Sequence, residues 1–386
     1  MRVLKLISRN TGRHLLRTSL TVLGMAIAVM AFIVIRTAIE AWYSDARATS
    51  PNRLITINAI SLTFNLPLAY RQKIQDVPGV KAVSYAQWFG GIYVDPKNFF
   101  PQFAVEAKSY FDMYSEFLIP ADEKDAFMRE RNACLVGRKL ADRFGWKVGD
   151  PIRLTGTIFP GDWDFVIRGI YVGAKENTNE ANFYFHFEYL DERMRAEAPV
   201  RAGQVGSFVE QIDDPSKVAQ YSDRIDALFK NSAAETKTET EESFALSFVA
   251  MAGNIVAGLK IISIMVIGII LLVLANTMAM TARERISEYA VLKTLGFRAV
   301  HIIGLIFGES VFIGALGGLG GAVLALFVVL PLMKKGLSDY FPSVPIELTT
   351  FLWAGAAAIV VGLLAAVFPT LKALRTSIVD GLRIID

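Results

Sequence analysis

Residues 281–297 read TARERISEYAVLKTLGF, and the reading of this stretch decides the fold. It stands between two long apolar runs. Within six positions it places Arg283, Glu284, Arg285 and Glu288. A charged, helix-forming loop between two membrane spans suits docking to an aqueous partner, and suits chemistry on a small molecule much less well. In a helix, Glu284 and Glu288 fall four apart on one side. Tyr289, Val291, Leu292 and Leu295 then supply apolar groups to fill a groove, Arg283 and Arg285 pair charges at its edge, and Lys293 adds to the basic count. Gly296 is expected to stop the helix.

Outward from this loop, four apolar runs are long enough to cross a hydrocarbon core of about 30 Å. They cover residues 18–41, 254–282, 301–333 and 350–372. The composition agrees with a mixture of spans and aqueous domain. The chain has 386 residues, of which 53% are hydrophobic and 20% charged, and a mean hydropathy of +0.39. The fold expected is an α+β membrane protein with four transmembrane helices, one and then three. A large mixed α/β extracytoplasmic domain, residues 42–253, is inserted after the first. Residues 1–17 read as a basic amphipathic helix on the membrane surface. Residues 283–300 form a cytoplasmic coupling loop, 334–349 an outer loop and 373–386 a cytoplasmic tail. The first run is long for a signal peptide, and no small-x-small cleavage site directly follows it.

Basic residues set the orientation. They cluster before the first span, after the second (Arg283, Arg285, Lys293, Arg298) and after the fourth (Lys372, Arg375, Arg383). The positive-inside rule makes these three segments cytoplasmic, outweighing Lys334 and Lys335 in the outer loop. The formal net charge of +3 is small for the length and does not imply nucleic acid.

Within residues 42–253, strand-like runs are expected at 53–60, 80–86, 103–107, 152–157, 165–172 and 205–212, and helix-like runs at 68–75, 137–144, 187–197 and 215–229. The polar stretch 233–243 reads as the first turns of a helix continuing into the membrane. Catalytic signatures are scarce. The sequence contains no GxxxxGK[ST], HExxH, CxxC or GxSxG. Cys134 reads as a small buried hydrophobe. His14, His186 and His301 are too scattered for a shared metal site. Asp162 and Asp164 read as solvated acids on a turn, and Phe99, Phe100 and Phe103 as a core cluster. No catalytic, cofactor-binding or metal-ligating residue is assigned.

Two features lie inside the third run. Glu309 falls roughly 10 Å past His301 along a helix. Intramembrane acids are costly and usually paired, so a basic or hydroxyl partner near the interface is favoured over an ion relay. Gly304/Gly308, Gly314/Gly318 and Gly317/Gly321 are each four apart, so that one helix face can approach a neighbour closely. A nucleotide-binding loop does not fit, because no strand precedes these glycines.

Several motifs now combine. Asn276-Thr-Met278, Ala282-Arg-Glu-Arg285, Glu288, Ala290-Val-Leu-Lys-Thr-Leu-Gly296 and Glu309 resemble the carboxy-terminal signature of MacB/FtsX-like ABC transporter permease subunits, a family that includes macrolide exporters and lipoprotein-release permeases. Phe368-Pro369 with Leu374-Arg375 fits the same pattern. Val77-Pro-Gly-Val-Lys-Ala-Val83 and Val136-Gly-Arg-Lys-Leu-Ala141 with Gly149-Asp150 are similar to its MacB-like periplasmic core domain. The resemblance implies a multi-pass, non-catalytic protein of the bacterial inner membrane with both termini cytoplasmic. It implies a separate cytoplasmic ABC ATPase that binds the ATP, since the first span begins close to Met1 and the tail is short. It also implies a second permease, as homodimer or related heterodimer, contact with membrane lipids, and in some members a periplasmic adaptor and outer-membrane channel. Export or extraction of a substrate is the function expected. The alternative is an FtsX-like regulator that activates an extracytoplasmic cell-wall hydrolase.

Overall fold

The computed structural model describes residues 15–378 apart from 45, 47, 48, 176, 252 and 338–345. Of the amphipathic helix expected over residues 1–17, residues 1–14 lie outside the described residues and 15–17 already belong to the first membrane helix; much of the outer loop also lies outside them. By mutual contact the chain divides into a helical unit, built around residues 252–336 with both chain ends, and an α/β unit built around residues 41–251.

The helical unit contains α1 (Leu15–Ser44), α2 (Gly253–Glu284), α3 (Ile286–Thr294), α4 (Ala299–Leu324), α5 (Leu330–Leu337) and α6 (Leu348–Arg375). Among the described residues, four helices are long and apolar enough to cross a membrane: α1, α2, α4 with its continuation, and α6. The arrangement is one span, then the α/β unit, then three spans. Residues Ala325–Val329 widen into a π-helical turn between α4 and α5, so the third span runs on without a break. Only one stripe of α2 is buried, through Val256, Ser263, Ile270, Leu274, Met278 and Ala282. Spacings of seven and four keep these residues on one side of the helix.

The α/β unit is organised on one mixed sheet. Its longer strands are β1 (Arg53–Asn58), β2 (Val80–Trp88), β3 (Gln102–Val105), β4 (Ala133–Gly137), β5 (Pro151–Gly156), β6 (Gly161–Gly173), β7 (Phe183–His186), β8 (Ser207–Ile212) and β9 (Thr236–Thr240). Their spatial order is β9-β1-β8-β2-β3-β7-β4-β6-β5. The β3–β7 and β4–β6 pairs are parallel. After Trp88 the chain continues into Gly91–Ile92, which pairs with β5. The sheet therefore curls back toward its own strand β2.

Side-chain alternation explains why this sheet is covered on both faces. Phe183 and Phe185 join one core with Cys134, Val136, Phe165 and Phe208. Tyr184, between them, joins a second core with Leu135, Tyr171 and Val209. Inside the curl, the Phe89 ring meets Trp163 and Phe185 edge-on at 5.3 Å. Such aromatic contacts add to the area they bury.

Two expectations need correction. Residues 236–240 are strand β9, and the helix begins only at Glu241. Thr236, Thr238 and Thr240 are β-branched and alternate, which suits a pleated edge. The Thr238 hydroxyl lies 2.8 Å from that of Thr56 on β1. The Phe99–Phe103 cluster splits: Phe100 is buried, whereas Phe99 is exposed. Cys134 is fully buried, and burial pushes its thiol pKa up. His186 sits at the end of β7 with Nε2 2.8 Å from the Phe127 carbonyl. Burial pulls its pKa down, so the ring is held neutral.

The α/β unit also buries an acid that the sequence pattern does not mark. Glu210 on β8 is 0% exposed. It faces the same core as its cross-strand neighbours Leu54 and Val83. Burial lifts its pKa to about 8, the Thr56 hydroxyl opposing the rise and the Asp226 carboxylate adding to it. The folded state thus holds a proton that the unfolded chain releases near pH ~4.3. This stabilisation is full below the unfolded pKa and is lost as pH rises through about 8. The whole change is of order 5 kcal/mol. Glu210→Gln should therefore raise the melting temperature of the full chain at about pH 9 and leave it nearly unchanged at about pH 5. Parallel pH profiles for the two proteins would contradict the assignment.

Candidate functional site

The segment that connects α2 to α4 is built from short-range signals. Asn276 to Glu284 stay helical as the end of α2. The chain then steps at Arg285 and restarts as α3. Gly296 closes α3 with a φ of +85°. The Phe297 amide donates to the Leu292 carbonyl and the Gly296 amide to that of Lys293, at 3.0 and 3.1 Å. This is the paired C-terminal motif that a left-handed glycine permits.

Three polar tethers fan out from this segment to three different helices. At the end of α2, Glu284 accepts two hydrogen bonds from the Arg17 guanidinium on α1, at 2.7 and 2.8 Å. At the α2–α3 step, Arg285 pairs with Glu309 on α4 at 2.8 Å. Both of those side chains are under a tenth exposed. At the end of α3, Lys293 Nζ donates to the carbonyls of Ala373, Leu374 and Thr376, at 3.1, 3.3 and 2.8 Å. These are carbonyls that the end of α6 leaves without helical partners, and a cation is well placed there. Residues 284–293 are thus tied to α1, α4 and α6 at once.

The rest of α3 divides into two sides. Tyr289 and Ala290 are buried in the helical core. Burial pushes the Tyr289 hydroxyl pKa up to about 12, so it remains neutral. Leu292 is half-buried against the same core. Glu288, Val291 and Leu295 are exposed, and their spacing of three and four puts them on one stripe. Arg283 and Glu284 are exposed at the end of α2, and Phe297 is exposed after α3. This corrects the expected docking set. Arg285 and Tyr289 face inward, because Arg285 neutralises the one buried carboxylate within reach and Tyr289 packs beside it. Lys293 is committed to the end of α6. The outward set is Arg283, Glu284, Glu288, Val291 and Leu295, with Gly296 shaping the turn.

The glycines of α4 serve two contacts rather than one. A Cβ on Gly314 would lie 2.9 Å from the Ala358 carbonyl of α6, and one on Gly318 would lie 3.1 Å from the Ala358 side chain. A Cβ on Gly321 would lie 2.5 Å from the Ala26 carbonyl of α1, and one on Gly317 would run into Met25. The pairs are offset by three residues, so they open adjacent faces of α4 to α6 and to α1. Ser310, which the sequence did not single out, donates from Oγ to the Gly362 carbonyl at 2.6 Å. It holds the α4–α6 approach one residue after Glu309. In the sequence Arg17 reads only as part of a basic surface helix. The available signal was an opposite charge at the matching end of the next span, Glu284.

The comparisons with known proteins bear on the whole chain. Residues 18–228 match the MacB-like periplasmic core domain, and residues 260–378 match the FtsX-like permease C-terminal domain. The chain belongs to the MacB/FtsX-like ABC transporter permease family. An uncharacterized ABC transporter permease of Methanocaldococcus jannaschii is 24% identical over 83% of this permease and 82% of its own length. The pyoverdine export ATP-binding/permease protein PvdT of Pseudomonas fluorescens is 26% identical over 95% of this permease and 57% of its own length. The permease thus spans little more than half of that exporter. The periplasmic region of MacB from Actinobacillus actinomycetemcomitans covers 52% of the permease and 94% of itself, with 12% identity and a TM-score of 0.38.

The buried pair yields a direct test of the site. Glu309→Gln leaves the Arg285 cation without its counter-charge. Breaking one side of a buried pair costs about 3–5 kcal/mol, whereas replacing both partners with apolar groups is often close to neutral. In detergent, the single variant should melt well below the parent permease, and Arg285→Met with Glu309→Leu should recover most of the loss. A double variant as unstable as the single one would show that the pair does not act as a unit.

Proposed function

We propose that this chain is the membrane subunit of an ABC transporter that couples ATP hydrolysis on a separate cytoplasmic ATPase to movement of its extracytoplasmic α/β unit. The work done is export or extraction of a substrate. The observation that carries this reading is the convergence of the three tethers on residues 284–293. A push on α3 is delivered to α1, α4 and α6 together through charge-assisted bonds. Small side chains then couple α4 to both α1 and α6. Such an arrangement suits a part that receives force.

The outward stripe of α3 has the features of a helix seated in a partner's groove. Val291 and Leu295 supply the apolar anchors, and Arg283, Glu284 and Glu288 supply the charged rim. Basic residues at this level support a cytoplasmic position for it by the positive-inside rule. The family relationship supports an ATPase as the occupant, and a second permease as the other half of the transporter. Relatives named for pyoverdine and macrolide export support outward transport as the direction of work.

The test targets exposed residues only, so that folding and docking separate. Val291→Asp with Leu295→Asp should leave the melting temperature of the permease close to that of the parent. The same pair should abolish co-purification of an ABC ATPase with the tagged chain and abolish ATP hydrolysis in the preparation. If the ATPase remains bound and active, α3 is not its docking element.

A further inference from the structure

We propose that Arg53 is a positioning residue: its guanidinium clasps together the two chain segments that lead from the α/β unit to the membrane helices, so that they act on the sheet as one lever. The proposal rests on the coupled-permease reading above.

The chain enters the sheet at β1, nine residues after α1 ends at Ser44. It leaves at the end of β9, where Glu241 opens a helix running to Met251, ahead of α2 at Gly253. β1 and β9 are antiparallel neighbours with Leu54 opposite Thr240. Entry and exit therefore lie side by side at one end of the sheet. Arg53, at the first position of β1, is buried there. Its Nε donates to Glu241 at 2.7 Å. Its Nη atoms donate to both oxygens of Glu116, at 3.1 and 2.5 Å, and to the Met113 carbonyl at 3.2 Å. The guanidinium also lies 4.1 Å from the centre of the Tyr114 ring. The Ser50 amide, on the entry segment, donates to Glu241 at 3.2 Å.

This network joins distant parts of the sheet. Glu116 precedes Phe117–Leu118, which pairs with Val172 and Gly173 at the end of β6. In sheet order, five strands lie between β6 and β1. One arginine thus ties the entry strand, the exit helix and the segment that reaches β6. The planar fork fixes the relative directions of all three carboxylate bonds. Displacing the helix that starts at Glu241 must either break a buried ionic bond or carry Glu116 along. A buried ionic cluster is a weak means of gaining stability. Its position at both chain crossings is what suits it to transmission.

The experiment uses the full chain in lipid nanodiscs with the ABC ATPase that co-purifies with it, and probes it with ATP and vanadate. Hydrogen exchange is read at the amides of β3 and β7, remote from Arg53 in sheet order. In the parent complex, trapping should change exchange at these strands. Arg53→Gln should keep the bound ATPase and its basal hydrolysis but lose the nucleotide-dependent change, and Arg53→Lys should restore part of it. A purely structural role would alter exchange equally with and without nucleotide. Should Arg53→Gln fail to fold, Glu116→Gln, which leaves the Arg53–Glu241 bond in place, is expected to lose the same nucleotide-dependent change. A nucleotide-dependent change in either variant as large as in the parent overturns the clasp and leaves the coupled-permease reading standing. A parent complex with no nucleotide-dependent change overturns that reading and the clasp with it.

Discussion

A carboxylate buried in a membrane helix cannot be left alone. Glu309 on α4 is held by Arg285 at 2.8 Å, and the helical unit is arranged around that requirement. Neither ion can leave the other without exposing a bare charge to a medium of low dielectric. The step between α2 and α3 is therefore fixed to α4, and α3 is not a free surface loop. Once the step is fixed, the short length of α3 dictates the rest. Lys293, two turns later, reaches the end of α6, and Glu284, one residue earlier, reaches α1.

The glycines of α4 give these tethers something stiff to pull on. With no Cβ at Gly314 and Gly321, the backbone of α4 comes against carbonyls of α6 and α1. Gly362 on α6 does the reciprocal, where a Cβ would lie 3.1 Å from the Ser310 carbonyl. Apolar burial does not drive helices together in lipid as it does in water, so close packing and hydrogen bonds carry the association. The Ser310 hydroxyl on the Gly362 carbonyl supplies such a bond at the closest approach.

Much of this was legible in the sequence, because the governing signals are long or local. Twenty-residue apolar runs announce spans, and the Arg/Glu cluster with Gly296 announces a capped helix. What failed to show was partnership over distance. Arg283 and Arg285 look alike in the sequence, yet one is exposed and the other is buried against Glu309, 24 residues away. The glycine spacing of four was visible, but the offset of three that divides it between two neighbours acquires meaning only when α1 and α6 are in place. In the α/β unit, β4 and β7 are not legible in the sequence because strands buried on both faces lack polar alternation. β9 is not legible either, because a run of Thr, Lys and Glu reads as solvent-facing until Thr56 stands opposite.

The two units solve a common problem with the same side chain. Each buries an arginine beside carboxylates close to where the chain passes between membrane helix and aqueous element: Arg285 at the foot of α2, Arg53 at the start of β1. At Arg53 lysine would not substitute well, because a compact ammonium lacks the planar fork that meets both oxygens of Glu116 while Nε holds Glu241. Arg53 fills four bonds at once, to Glu241, Glu116 and the Met113 carbonyl. A joint of this kind resists shear in every direction its acceptors span, whereas an apolar contact of equal area slides. Each arginine therefore fixes the direction in which the chain continues on either side of it: Arg285 at the step from α2 to α3, and Arg53 where β1 meets the helix that starts at Glu241.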